Sequence, residues 1–175
     1  GTISPYSRFG IGQIKDKSVN TRLRGMGGIS NTIASNRFVN PTNPATYVYF
    51  DSLSFLFNAG MSMSSSTYRT STLSEKGSSA SLSYFSMGFP ILRQWRVGIG
   101  LLPYSDIGYN IVVSDFRDEI GNYNYAFNGD GGLNQLFFGN GFKLTNNLSI
   151  GVNFTYVFGR NTTSTLLYFP DSTLY

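Results

Sequence analysis

The sequence predicts an all-β fold: an antiparallel transmembrane β-barrel, of which the chain carries the first five or six strands, preceded by an irregular plug-like segment. Three observations lead there. From Asp51 onward, apolar residues alternate with small polar ones at a period of two. Only 13% of the residues are charged, about half the share found in ordinary soluble domains. Aromatics make up 16% of the chain and there are 20 glycines. Together these suit strands with one face in lipid and the other toward a polar lumen. No window approaches eighteen consecutive apolar residues, so no membrane-spanning helix is expected.

Residues 1–50 form a unit of their own, rich in Gly, Asn, Pro, Ser and basic residues and without sustained alternation. They are expected to be irregular. Tyr6, Phe9, Ile11, Ile14, Leu23, Met26, Ile29 and Phe38 are too apolar for a free tail in water. A plug packed inside a barrel would shelter them.

Residues 51–175 supply the strands. In 53–64, Leu53, Phe55, Phe57, Ala59, Met61 and Met63 alternate with mostly small polar neighbours, over a length that suits a tilted membrane strand. The polar run Ser65–Gly77 reads as a loop. In 79–89 the apolar phase slips, with Ala80, Leu82 and Tyr84 on one face and Phe85, Met87 and Phe89 on the other; a bulge near Tyr84-Phe85 reconciles them. After a turn at Pro90–Gln94, odd positions from Trp95 to Val113 are nearly all apolar. A straight strand of that length would span roughly 60 Å at about 3.3 Å per residue, against an apolar band of about 25 Å. It must rise above the membrane or bend at Pro103. Asp115–Gly132 reads as a second long loop, 133–143 as a fourth strand and Leu144–Asn147 as a tight turn. The fifth strand is the cleanest: Leu148, Ile150, Val152, Phe154, Tyr156 and Phe158 alternate with Ser, Gly, Asn, Thr and Val. A sixth begins near Thr165. Short turns would lie on the periplasmic side and long loops outside.

A soluble sandwich would also alternate. Its water face usually carries Lys, Glu or Arg, whereas 53–64, 79–89, 97–105 and 148–159 hold no charge. The expected location is therefore the bacterial outer membrane, with lipid or lipopolysaccharide against the apolar face. The chain has no His and no Cys, which removes the commonest general base, thiol nucleophiles and the commonest metal ligands. No enzyme, cofactor or metal site is expected, although Asp115, Asp118, Glu119 and Asp130 cluster in one predicted loop. The net charge of +4 is not gathered into a patch with interleaved aromatics, so nucleic acid is not an expected partner. Arg96 is expected to snorkel toward the periplasmic interface, or else to face the lumen and attract a carboxylate headgroup.

Several stretches carry a family resemblance. Asn43-Pro44-Ala45, just ahead of the first strand, resembles the FadL family of outer-membrane channels for long-chain fatty acids and other hydrophobic compounds. Ser4-Pro5-Tyr6-Ser7-Arg8-Phe9-Gly10 and the stretch from Leu101 to Tyr109 look like FadL-like barrels of Bacteroidota, broadly related to the PorV-type proteins of type IX secretion. The resemblance implies a fourteen-stranded barrel with an N-terminal plug. Five or six strands cannot close it, so the chain is expected to be part of a longer polypeptide or to close by assembly. The resemblance also implies passive uptake of a hydrophobic small molecule. Asn43, Pro44 and Ala45 would hold the plug, and a kinked third strand would make a lateral opening at Leu101, Pro103, Tyr104, Ser105 and Asp106. The alternative it implies is a barrel subunit or partner of a secretion or other outer-membrane complex, with other outer-membrane proteins as partners and no transport role.

Overall fold

The structure, a computed structural model, describes residues 4–15, 20–69, 71, 74–118 and 121–169. A 3₁₀ turn, Pro5–Arg8, leads to the two-residue strand β1 (Gln13–Ile14) and the short helix α1 (Thr21–Gly25). A second 3₁₀ helix, Pro44–Tyr49, precedes five long strands: β2 (Leu56–Arg69), β3 (Ser74–Leu92), β4 (Trp95–Arg117), β5 (Gly121–Lys143) and β6 (Ser149–Tyr168). Each long strand pairs antiparallel with the next, in the order β2-β3-β4-β5-β6. Apolar residues rank on one face of this sheet, and the N-terminal segment covers part of the other.

The expected barrel is corrected here: the sheet is open. Among the described residues β2 pairs only with β3 and β6 only with β5, so neither edge meets the other. Closure needs strand number, tilt and stagger to agree, and about eight strands already leave an interior only wide enough for side chains. Five strands cannot wrap a segment of their own chain. The N-terminal segment is therefore covered on one side only. Leu23 and Phe38 are buried, whereas Tyr6, Phe9, Ile11, Ile14, Met26 and Ile29 stay exposed.

The two long loops are also corrected. Residues 65–69 belong to β2 and 74–77 to β3, and of Asp115–Gly132 residues 115–117 belong to β4 and 121–132 to β5. Polar residues there sit in ladder rungs such as Ser65↔Ser78 and Asn110↔Asn128. Backbone pairing holds those rungs without any apolar pattern. Residues 149–159 and the expected sixth strand are one continuous strand, β6.

Two bulges set the phase. Gly60 pairs with Tyr84 but Met61 with Leu82, so Ser83 is the extra residue on β3. That single insertion flips the strand's faces and accounts for the slip in its apolar pattern. On β4, Pro103 pairs with Asn134 and Ser105 with Leu133, leaving Tyr104 extra. The odd positions of β4 thus read as one stripe in sequence but change face at Tyr104. Ile99 and Leu101 are half-buried, while Ile107 is buried against Gly12.

Candidate functional site

The site is the covered face, built by glycines. Gly88 pairs with Gly98 and Gly98 with Gly139, a row across β3, β4 and β5; Gly141 pairs with Gly151 beside it. A missing Cβ at each position opens a trough. A Cβ on Gly98 would lie 2.8 Å from the Tyr47 ring and 2.8 Å from Val39. One on Gly139 would lie 2.7 Å from Tyr47, and one on Gly88 2.8 Å from Phe50. Real Cβ atoms do not approach that closely, so these positions require glycine for close approach of the segment. Val39, Tyr47 and Phe50 fill the trough and join Tyr84, Leu102 and Phe137 in the main core. Tyr47 and Phe50 stack with centroids 5.1 Å apart.

Residues 30–50 make almost no regular ladder, so their backbone groups need other partners. Side-chain amides and a guanidinium supply them. Asn58 on β2 donates to Arg37 O (3.2 Å) and accepts from Val39 N (3.2 Å), copying a strand neighbour. Asn153 on β6 donates to Pro41 O (2.8 Å), and Arg96 on β4 donates through Nε to Phe50 O (2.8 Å). Within the segment, buried Asn40 donates to Ser30 O (2.6 Å) and accepts from Thr42 N (3.1 Å). Arg96 neither snorkels nor faces an open lumen: it is buried, and its Nη1 donates to Arg93 O at 2.8 Å. Burial pushes the Tyr47 hydroxyl well above its ordinary pKa, so it stays neutral.

Asn43, Pro44 and Ala45 lie at the start of the second 3₁₀ helix. Asn43 donates from its side chain to Asn31 O (2.7 Å), and its carbonyl accepts from Thr46 N (3.1 Å) and Thr46 Oγ1 (2.7 Å). Pro44 O lies over Gly141, where a Cβ would come within 2.5 Å, and a Cβ on Gly151 would collide with Ala45 N. The triplet therefore seats the segment on β5 and β6.

The other candidate residues lie where the sheet divides. β3 leaves β4 after the rung Phe85↔Leu101, and β1 takes the vacated edge with Gln13↔Asp106 and Ile14↔Ser105. Pro103 falls two residues past the last β3 rung. Lys15 N donates to the bulged Tyr104 carbonyl (3.0 Å), and Lys15 Nζ pairs with Asp106 at 2.9 Å. Ser4 N donates to Gly108 O (2.9 Å), and Ser7 Oγ accepts from Gly108 N (3.1 Å). Leu101, Pro103, Tyr104, Ser105 and Asp106 are thus gathered at one junction, away from the triplet. Of the expected acidic cluster, Asp115 accepts from the Tyr123 hydroxyl (2.8 Å) and from Phe116 N (2.9 Å). Glu119 lies outside the described residues. Sequence reasoning missed the five trough glycines and the anchors Asn58 and Asn153, and it singled out Arg96 for a different role. Only strand register reveals the glycines as one surface.

An open antiparallel sheet, apolar on one face and clasped on the other by its own chain, defines an all-β protein whose described residues enclose no passage. The chain belongs to the BamG family, whose model matches residues 1–174. Neither a curated protein nor a solved structure matches it. The family is associated with the outer membrane and with protein partners in a multiprotein outer-membrane assembly complex. This match corrects the FadL and PorV resemblance and, together with the open sheet, the expectation of an uptake channel. The Asn-Pro-Ala triplet starts a local helical turn, a role that needs no channel.

Proposed function

We propose that this chain is a partner subunit of an outer-membrane assembly complex, with no transport role and no catalytic activity. The observation that carries the reading is how unequally the sheet's surfaces are covered. Residues 37–50 fill the turn end of one face. The opposite face leaves Phe57, Met61, Leu136, Phe138, Val152 and Phe154 exposed, beside the edge of β6 that no other described strand pairs. Apolar surface of this extent marks contact with lipid or protein. In this reading lipid covers the apolar ranks and a protein partner meets the remainder.

Affinity purification of the tagged protein from outer membranes tests the proposal. Expected is a stoichiometric complex with other outer-membrane assembly proteins, and slowed insertion of barrel proteins when the subunit is depleted. Recovery of the chain alone, with normal assembly and reduced uptake of a hydrophobic compound, would refute it.

A further inference from the structure

At the turn end of the covered face, beyond the trough, lies a cleft of about 700 Å³. Its polar wall comes from Arg93 and Gln94 in the β3–β4 turn, Arg96 on β4, Lys143 at the end of β5, and Thr145 and Asn146 in the following turn. A smaller cleft of about 90 Å³ continues past Lys143 and Thr145 toward Tyr49. Three cations meet here and no carboxylate lines either space. The nearest by sequence, Asp51, already accepts from Asn36 at 3.4 Å.

The cations stand on fixed supports. Arg96 is buried with Nε on Phe50 O and Nη1 on Arg93 O, which ties the turn to the strand. Lys143 N donates to Gln94 O at 2.8 Å, which ties the turn to β5. Arg93 and Lys143 themselves are exposed, and among the described residues neither side chain has an ion-pair partner. A rigid concavity of one charge sign attracts the opposite sign and raises its local concentration. Gln94, Thr145 and Asn146 add uncharged donors and acceptors of the kind that suit peptide groups.

We propose that this cleft docks an acidic, extended segment of a protein partner, its carboxylates meeting Arg93, Lys143 and the fixed Arg96. The proposal rests on the partner-subunit reading and names the chemistry of one contact. The cleft lies on the face carrying Val48 and residues 39–50, not on the face of exposed Val152 and Phe154. A lipid standing against the apolar ranks would hold its headgroup on the other side of the sheet, which favours a peptide over a phosphate headgroup.

The test uses the full chain in detergent micelles and a fluorescent octaglutamate peptide, followed by anisotropy. Wild type should bind the peptide, with affinity falling as salt is raised. The double variant R93E/K143E changes two exposed side chains and should weaken binding at least tenfold with an unchanged circular dichroism spectrum. Purified from outer membranes, the same variant should lose its complex. Equal peptide binding by wild type and variant would overturn the proposal. So would charge-dependent binding only to phosphatidylglycerol vesicles and not to the peptide. A complex that survives R93E/K143E overturns this docking site but leaves the partner-subunit reading standing. A wild-type chain recovered alone overturns that reading itself.

Discussion

The two ends of the covered face hold the N-terminal segment by different means. At the turn end, β3 to β6 stay paired, five glycines clear a trough, and side chains from residues 39–50 fill it. At the far end, β3 parts from β4, and residues 4–15 enter along the free edge through backbone bonds, the Ser7 hydroxyl and one ion pair. The first contact is apolar, buried and shaped by missing Cβ atoms. The second is polar and half-open, and leaves Tyr6, Phe9 and Ile14 more than half exposed. The turn end should therefore carry most of the segment's binding energy, and the far end should open first.

The largest expected effect is at Tyr47, which is fully buried among Val39, Gly98 and Gly139. Tyr47→Ala should cost about 4 kcal/mol, by lost transfer and a residual cavity. Urea unfolding of the protein in micelles would measure it, and a cost under about 1 kcal/mol would mean the trough is not the main anchor. Next, Gly141→Val places methyl groups against Pro44 O and should cost about 2–3 kcal/mol by overpacking. Limited proteolysis after Arg37, whose carbonyl Asn58 holds, should then be faster than in wild type. A smaller change is expected at the far end. Lys15 and Asp106 are partly exposed, so Lys15→Met should cost only about 0.5–1 kcal/mol and speed amide exchange at Gln13 and Ile14 while Val39 is unaffected. Similar losses from Lys15→Met and Tyr47→Ala would erase the contrast.

The smallest effect is electrostatic and lies at the β4–β5 hairpin tip. The Tyr123 hydroxyl, followed by the Phe116 N–H, holds the Asp115 carboxyl below its ordinary pKa. A lowered carboxyl pKa stabilises the fold above the ordinary carboxylate range, and that contribution is lost as pH falls through the lowered value. Tyr123→Phe should move Asp115 back toward its ordinary value in a carbon NMR titration, without affecting either contact of the N-terminal segment.

What was legible in the sequence follows from these same forces. The apolar alternation could be read directly over 56–64 and 149–159, where neither stretch carries an extra residue, although the expected strand starts at 53 and 148 fall just before β2 and β6 begin. The slip in 79–89 was legible as a bulge, now placed at Ser83. The upper strands were not legible. Ser, Gly and Asn in 65–77 and 121–132 look like loop residues, yet ladder bonds hold most of them extended. The trough was invisible for a different reason: Gly88, Gly98, Gly139, Gly141 and Gly151 become one surface only once three strand registers are known. The Asn43-Pro44-Ala45 triplet was visible, but it seats the segment on β5 and β6, and the family and channel it suggested are overturned by the BamG match and the open sheet. The exposed apolar side chains of residues 4–29 misled in the same way, since a barrel would have sheltered them and an open sheet does not.

A disulfide across the trough tests the central claim most directly. The chain has no cysteine, so Pro41→Cys with Asn153→Cys gives one defined pair where Asn153 now donates to Pro41 O at 2.8 Å. In intact outer membranes, mild oxidation should join the two rapidly and in high yield, with little labelling by a water-soluble maleimide. Free, readily labelled thiols at both positions, with no cross-link, would show that the segment does not lie on the sheet and would contradict the account.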